Sequence, residues 1–365
     1  MPKEKPPGSS GESVKINEFY KGKRVLITGH TGFKGSWLCK SLLELGAEVF
    51  GYSLEPPTNP NLYSILDLDK EVHSHIADIR DYDTFSSVIK ESKPDIVIHM
   101  AAQPLVSTGY SNPRETYESN VMGTVNMLEA VRHCDSVKSI VNVTTDKVYR
   151  NNEWAWGYRE DDYLDGYDPY SNSKSCSELV TSSYFKSFFK GKIAVSTARA
   201  GNVIGGGDFT DPRIIPDCVR AAISGNQMIL RNPNSTRPYQ HVLEPVFAYL
   251  LIAARQYNDF SYSDSYNVGP SDEGCVNNET LVGLFGKYWG PGFSYEVHQN
   301  ENAPHEANYL KLDCSKIQTV LNWKPNWNID EAVKRTVEWT KAYMDNSGIE
   351  CMEKQIDSYL KTITW

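Results

Sequence analysis

The sequence predicts an α/β protein built on a doubly wound parallel sheet, followed by a smaller C-terminal α/β domain. Short, near-continuous apolar runs rich in β-branched residues recur along the N-terminal half, and helical stretches separate them. Strands of that composition are buried on both faces, which is typical of a parallel sheet covered by helices. A glycine-rich turn joins the first strand to the first helix and supports the same fold class.

The elements follow in a regular order. The run Arg24–Thr28 predicts the first strand, and the stretch 36–45 predicts a helix that ends at Gly46. A second strand is expected at 47–52. Further strands, with helices between them, are expected at 95–100, 139–144 and 194–198. After residue 199, Gly- and Asn-rich loops interrupt this rhythm, so a different arrangement begins there.

Composition narrows the choice of partners. The net charge of −9, without a basic arm or cluster, argues against a nucleic-acid partner. The seven cysteines are widely spaced and include no C-x-x-C pair, which predicts reduced thiols in the cytoplasm rather than disulfides or zinc. No residue spacing predicts a metal site. We expect no membrane partner, because no apolar run approaches the about 18–20 residues that span a bilayer.

The turn at residues 29–35 predicts a phosphate-binding loop. Gly29, Gly32 and Gly35 follow a strand and open a helix, the context of a dinucleotide-binding turn in a Rossmann-type fold. Their spacing is G-x-x-G-x-x-G rather than the usual G-x-G-x-x-G. The end of the second strand lacks the acid that normally holds the adenosine ribose, so a preference for NAD over NADP is left open. Asp78 is either an acceptor for the adenine amino group or a solvated turn aspartate.

We expect the following division of the chain. Residues 1–17, which open with a segment rich in Pro, Gly, Ser and Lys, are predicted to be a disordered tail. Residues 18–198 form the dinucleotide-binding domain, and the segment 236–268 returns to it. Residues 199–235 and 269–365 form the smaller domain, which binds the substrate.

Two clusters of reactive side chains lie in the predicted first domain. Tyr170 and Lys174 are four residues apart on a predicted helix and therefore share one face. A nearby ammonium is expected to lower the pKa of the phenol, which would let Tyr170 exchange a proton with a hydroxyl. Asp146 and Lys147 follow the fourth strand, at the edge of the sheet where ligands bind. Chance spacing and a hydrogen-bonded turn are the structural alternatives for the two clusters.

These motifs, taken in order, carry a family resemblance. The glycine turn, Ala101-Ala102-Gln103 and the Tyr170/Lys174 pair are arranged as in the extended short-chain dehydrogenase/reductase superfamily, which the chain resembles over about residues 23–324. The stretches 29–35, 99–106, 156–160, 167–171 and 199–208 are similar to nucleotide-sugar 4,6-dehydratases of the CDP-glucose branch.

The resemblance implies an activity and a mechanism. The substrate is a nucleotide-linked hexose, with CDP-glucose favoured, and the cofactor is NAD. Oxidation at C4 passes hydride to NAD, water is lost across C5 and C6, and hydride returns to C6. Most related 4,6-dehydratases carry an acid pair where this chain has Asp146-Lys147, so the base that removes the C5 proton is left open. A homodimer or homotetramer is expected.

The resemblance also implies site residues. The catalytic set is Thr145, Asp146, Lys147, Tyr170 and Lys174. The cofactor set is Gly29, His30, Thr31, Gly32, Phe33, Lys34, Gly35, Asp78, Ile79, Ala101, Ala102, Gln103, Asn120, Tyr170 and Lys174. The substrate set is Gln103, Asn202, Arg213 and Arg237.

Two other functions remain open at this point. A 4-epimerase acting on a nucleotide sugar would share the glycine turn and the Tyr170/Lys174 pair but would not need Asp146-Lys147. A non-catalytic NAD(H)-binding regulator would need neither pair.

Overall fold

The computed structural model describes residues 15–298 and 310–363. Its strands are β1 Arg24–Thr28, β2 Glu48–Ser53, β3 His73–Ile76, β4 Ile96–His99, β5 Ser139–Thr145, β6 Ala194–Ala200, β7 Val203–Ile204, β8 Met228–Leu230, β9 Thr236–Pro238, β10 Gln240–His241, β11 Ser265–Val268, β12 Cys275–Asn277 and β13 Tyr295–Val297. Its helices are α1 Ile16–Tyr20, α2 Phe33–Glu44, α3 Leu62–Ile65, α4 Tyr82–Ser92, α5 Val106–Ser111, α6 Pro113–Tyr117, α7 Gly123–Arg132, α8 Pro169–Tyr184, α9 Ile214–Ser224, α10 Leu243–Asn258, α11 Asn278–Trp289, α12 Ser315–Leu321, α13 Ile329–Met344 and α14 Gly348–Thr362.

Seven parallel strands form the main sheet, in the order β11-β6-β5-β4-β1-β2-β3. The strand order reverses between β1 and β4, which makes the carboxyl ends of these two strands the switch point where ligands bind in such sheets. The predicted doubly wound parallel sheet is thus confirmed.

Helices cover both faces of this sheet. Along β1, Val25 and Ile27 point into the core under α2 and α10, while Leu26 points into the core under α4 and α7. The helix α10 is apolar nearly all round and is buried against β5 and β6. Two separate apolar cores therefore cover the two faces of the sheet.

A smaller unit follows the sheet. Three two-stranded ladders, β7–β10, β9–β12 and β8–β13, join residues that are distant in sequence. A third apolar core lies among α9, α11 and α13, where Val219, Phe285 and Val337 are buried together. None of the helices in the described ranges is long and apolar enough to cross a membrane.

The N-terminal boundary differs from the expectation. Residues 1–14 of the predicted tail lie outside the described residues. Ile16 and Asn17 belong to α1, whose Ile16 is buried and whose Tyr20 hydroxyl donates to the Leu250 carbonyl at 2.7 Å. The prediction that the tail extends to residue 17 is therefore wrong at its last residues, because apolar contacts with α10 order them.

Candidate active site

A crevice of about 1150 Å³ opens at the carboxyl ends of the central strands. It is lined by residues that follow β1, β2, β4, β5 and β6, and by the segment that leads into α9. Of the residues predicted from sequence, those lining it are Gly29, Thr31, Gly32, Phe33, Lys34, Gly35, Asp78, Ile79, Ala101, Ala102, Gln103, Thr145, Lys147, Tyr170, Lys174, Asn202 and Arg213. His30, Asn120, Asp146 and Arg237 lie behind its wall.

The glycine turn is built by close backbone approaches. Gly29 has a φ of +79°, and a Cβ there would lie 2.9 Å from the Ala101 nitrogen. A Cβ on Gly35 would lie 2.2 Å from the Gly29 carbonyl oxygen. The N-cap of α2 is Gly32, which has no side chain to cap the helix. The first amide groups of α2 are consequently available to an anion, favoured further by the helix dipole.

His30 fills the space that the turn leaves above β2. A Cβ on Gly51 would lie 2.4 Å from the imidazole ring, and the His30 Nε2 is 2.7 Å from the Ser74 hydroxyl. Burial lowers the pKa of His30 to about 4, so the ring is neutral at physiological pH. At the end of β2, the Thr31 hydroxyl lies 2.8 Å from that of Ser53. The hydroxyl groups of Thr31 and Ser53 therefore occupy the position at which this fold usually has an acidic residue.

Asp78 and Asn120 support the cofactor side in different ways. The Arg80 guanidinium donates to the Asp78 carboxylate from Nε at 2.9 Å, and this bond lowers the pKa of Asp78. Asn120 is buried and exchanges hydrogen bonds with both backbone groups of Gln103, while its amide also donates to Ser173 at 2.8 Å. Asn120 therefore ties the loop after β4 to α8.

Tyr170 is placed by the start of α8. The N-cap Asp168 accepts hydrogen bonds from the backbone nitrogens of Tyr170 and Ser171, and Pro169 occupies the first helical position. Burial raises the pKa of Tyr170 to about 12, although a hydrogen bond with Thr145 acts in the opposite direction. The prediction of a lowered phenol pKa is thus wrong, because desolvation of the buried phenol raises it.

Lys174 lies one turn further along α8. It is buried, and its ammonium donates to the Val143 carbonyl at 3.3 Å. Burial lowers the pKa of Lys174 to about 8, and Glu178, one more turn along, acts in the opposite direction. The lysine consequently titrates close to neutral pH.

The segment after β5 holds a charge pair. The Lys147 ammonium lies 3.2 Å from the Asp146 Oδ1, which also accepts a bond from the Thr145 hydroxyl at 2.9 Å. Asp146 is fully buried, whereas Lys147 reaches the crevice. The Asp146 Oδ2 has no hydrogen-bond partner among the described residues. A buried acid behind the wall and an amine that reaches the crevice therefore meet beside Tyr170.

The opposite wall carries the predicted substrate residues. Asn202 follows β6 and lines the crevice. The Arg213 guanidinium donates to the buried Asp208 carboxylate at 3.0 Å. Arg237 is buried on β9, where its guanidinium donates to the Thr236 carbonyl at 3.0 Å. Asn202 and Arg213 can reach a ligand from this wall, whereas Arg237 lies within the ladder β9–β12.

Sequence reasoning missed the outer end of the crevice. It is lined by the segment 227–232, which contains β8, and by Tyr239 and Asn278, whose side chains share a hydrogen bond of 2.6 Å. A three-residue strand whose partner β13 lies more than sixty residues away leaves no local signal in the sequence. No group of three or more His, Cys, Asp or Glu suited to a metal ion occurs in the described part of the chain.

Comparison with known proteins decides the family. The family described as GDP-mannose 4,6 dehydratase matches residues 26–336, well over half of the chain. The chain belongs to this family. Its membership of the GDP-mannose 4,6-dehydratase family confirms the predicted resemblance to nucleotide-sugar 4,6-dehydratases.

Individual relatives differ in how similar they are. The chain is 48% identical over 354 residues to a CDP-glucose 4,6-dehydratase of Salmonella typhimurium, covering 95% of this chain and 98% of that protein. It is 27% identical to a probable dTDP-glucose 4,6-dehydratase of Sinorhizobium fredii, over 88% of this chain and 93% of the relative. A dTDP-glucose 4,6-dehydratase of Streptomyces venezuelae, solved with NAD bound, superposes with a TM-score of 0.74 at 24% identity, covering 89% of this chain and 98% of that one.

Proposed function

We propose that this chain is a CDP-glucose 4,6-dehydratase that converts CDP-D-glucose to CDP-4-keto-6-deoxy-D-glucose and uses NAD as cofactor. The observation that carries the proposal is one crevice lined by Tyr170, Lys174 and Lys147, with Asp146 buried directly behind Lys147. The choice of CDP-glucose rests on the 48% identity to the Salmonella typhimurium enzyme over nearly the whole chain.

The residues of the glycine turn fit a dinucleotide. A Cβ at Gly29 or Gly35 would collide with neighbouring backbone atoms, so the turn requires glycine at both positions. The first amide groups of α2, which no side chain caps, suit a pyrophosphate. Gly29, Gly32 and the backbone of Phe33 would hold the phosphates, with Asp78, Ala101 and Gln103 along the remainder of the dinucleotide. When bound, NAD supplies a hydride acceptor and later a hydride donor.

Proton transfer at the sugar 4-hydroxyl is assigned to Tyr170. As phenolate it takes the hydroxyl proton while the C4 hydrogen leaves as hydride, and the Lys174 ammonium stabilises the phenolate charge. Thr145, which already bonds the phenol, would also donate to the 4-oxygen. The raised pKa of Tyr170 makes this charge stabilisation necessary at neutral pH.

Elimination of water is assigned to the Asp146–Lys147 pair. A proton that moves from the Lys147 ammonium to Asp146, across a contact of 3.2 Å, converts the ion pair into a neutral amine and a neutral acid. The amine then takes the C5 proton, and the acid protonates the departing 6-hydroxyl as water. Both groups end with the charges they had at the start, so each turnover leaves the pair unchanged.

Three further assignments complete the proposal. Residues 18–198 with 236–268 would bind the dinucleotide, and residues 199–235 with 269–365 would bind the sugar nucleotide through Asn202 and Arg213. A homodimer or homotetramer is the proposed assembly. The cytoplasmic location stays a prediction from the sequence.

A panel of nucleotide hexoses tests the substrate assignment. The purified protein is incubated with NAD and, separately, CDP-glucose, dTDP-glucose, UDP-glucose and GDP-mannose. Appearance of the alkaline absorbance of a 4-keto sugar with CDP-glucose, at the highest kcat/KM of the four, is the expected result. Highest kcat/KM on another nucleotide would overturn the CDP assignment, and turnover of none would overturn the proposed activity.

A further inference from the structure

A buried carboxylate lies directly beneath the proposed catalytic residues. Glu178 is on α8, one turn beyond Lys174, and is buried. Its Oε1 accepts bonds from the Thr144 hydroxyl and from the Arg199 Nε at 2.9 Å. Its Oε2 accepts bonds from the Thr197 hydroxyl at 2.7 Å and from the Arg199 Nη2 at 3.0 Å. Four donors therefore hold this carboxylate in one orientation.

Arg199 extends the contacts beyond α8. Its Nη1 donates to the Tyr149 hydroxyl and to the Glu160 carbonyl, both at 2.8 Å. The Tyr149 hydroxyl donates to the Asn267 Oδ1 at 2.6 Å. The chain of bonds thus links α8, the ends of β5 and β6, and β11 of the main sheet through buried side chains.

Thr144 is the point where this network meets the crevice. Successive side chains of a strand point to opposite faces, so Thr144 faces Glu178 while Thr145 faces Tyr170 and Asp146. The hydrogen bond from Thr144 to Glu178 anchors the backbone of Thr144 and of the adjoining Thr145. The position of Thr145 and Asp146 consequently depends on a carboxylate that does not itself reach the crevice.

Glu178 also acts on the charge of Lys174. Tyr170 and Glu178 lie one turn before and one turn after Lys174 on α8, and His99 on β4 and Lys34 on α2 are close enough to interact with its charge. Burial keeps His99 neutral, and Lys34 carries the same sign as Lys174. Glu178 is therefore the carboxylate among these groups, and it favours the ammonium form of Lys174.

We propose that Glu178 and Arg199 are positioning residues, a buried charge pair that fixes the Thr144–Thr145 end of β5 and keeps Lys174 in its ammonium form during the reaction. This inference rests on the proposed function of the same site. The two parts of the claim predict different effects, so each has its own test.

Matched threonine variants test the positioning of β5. Thr144→Val and Thr197→Val each remove one neutral donor to Glu178, but only Thr144 adjoins Thr145. We expect Thr144→Val to lower kcat about tenfold with KM little changed, because a small displacement of reacting groups is costly. Thr197→Val should keep kcat and lose only thermal stability. Equal losses of kcat in the two variants would contradict the positioning claim.

Two charge variants test the effect on Lys174. Glu178→Gln leaves Arg199 unpaired and should move the basic limb of the kcat profile to lower pH by about one unit, whereas Arg199→Met should move it to higher pH. If the pair were purely structural, both variants would have a lower kcat, but the basic limb would not move in opposite directions. That result would overturn the claim. If either variant fails to fold, which breaking a buried pair can cause, the threonine pair still decides the positioning of β5. Absence of wild-type turnover would instead refute the proposed function.

Discussion

At the scale of the single residue, the oxidation step is assigned to Tyr170 under the proposed function. Its phenol is buried, and the pKa is raised to about 12, so the hydroxyl gives up its proton only when positive charge is held beside it. Lys174, with a pKa lowered to about 8, supplies that charge at neutral pH and loses it in mild alkali. The two opposite shifts share one cause, burial.

Tyr170→Phe should abolish oxidation at C4. The ring would still fill its place, so the fold is kept, but no oxygen remains to take the proton. We expect kcat to fall by at least about 10²-fold, measured as formation of the 4-keto product. Affinity for CDP, measured by calorimetry, should change by less than about twofold. Substantial residual oxidation would show that another group acts as the base.

Asp146→Asn should separate oxidation from loss of water. The amide keeps an oxygen for the Thr145 hydroxyl but has no acidic proton for the departing hydroxyl. In stopped-flow absorbance, the reduced cofactor should form at the wild-type rate and then persist, with dehydration slowed about 10²-fold. Lys147→Met is the companion variant, and it should lose exchange of the C5 hydrogen with solvent. An unchanged dehydration rate in Asp146→Asn would refute its role.

The start of α8 matters at the scale of the element. Asp168 caps the helix whose first turn carries Tyr170, and its carboxylate accepts bonds from two backbone nitrogens. An acid at this end also complements the helix dipole. The helix that presents the phenol is therefore fixed by a residue that does no chemistry.

Asp168→Ala should lower both stability and activity. We expect a loss of about 1 kcal/mol in the free energy of unfolding, measured in urea, together with a lower kcat. Asn328→Ala is the matched control, since Asn328 caps α13 through the Glu331 nitrogen and lies outside the lining of the crevice. That variant should lose similar stability and keep kcat. A fall in kcat of the same size in both variants would contradict a special role for the α8 cap.

Elements were predictable from sequence where the signal is local. Apolar runs located β1, β4, β5 and β6 to within two residues, because strands buried on both faces have no polar alternation. The helix α2 begins at Phe33 rather than at the predicted residue 36. The glycine signal extends through Gly35, and this glycine lies inside the first helical turn, where it permits contact with the Gly29 carbonyl. A glycine required by packing is therefore easily assigned to a loop.

Contacts between distant segments were not predictable. The Glu178–Arg199 pair joins a helix to a strand, and although Arg199 opens the motif 199–208, nothing in that motif points to Glu178 as its partner. The raised pKa of Tyr170 was missed for a related reason, since the sequence places Lys174 nearby but does not reveal how deeply both are buried. Spacing predicts neighbours on one element, whereas desolvation depends on every element that packs around them.

At the scale of the whole molecule, Glu244 joins the C-terminal segment to the main sheet. It lies in the first turn of α10, is fully buried, and accepts bonds from the Trp327 nitrogen at 2.7 Å and the Tyr359 hydroxyl at 2.7 Å. Burial raises its pKa from 4.5 to about 7. The folded protein therefore retains a proton that the unfolded chain has already lost between these pH values.

Stability should consequently fall as pH rises through this interval. A carboxyl group whose pKa is raised on folding stabilises fully below its unfolded value of 4.5, and this contribution is lost as pH increases to about 7. Glu244→Gln stays uncharged, so the difference in unfolding free energy between variant and wild type should grow in favour of the variant over this range. Urea unfolding across the same pH series measures it. Parallel pH curves would contradict the assignment.

The central claim is that this chain eliminates water across C5 and C6 of CDP-glucose. The most direct measurement is NMR of the product formed from CDP-glucose and NAD in deuterated water. We predict a 4-keto-6-deoxy sugar with deuterium at C5, because the amine of Lys147 exchanges its protons with solvent. A hexose epimerised at C4, with its 6-hydroxyl kept and no deuterium at C5, would contradict it.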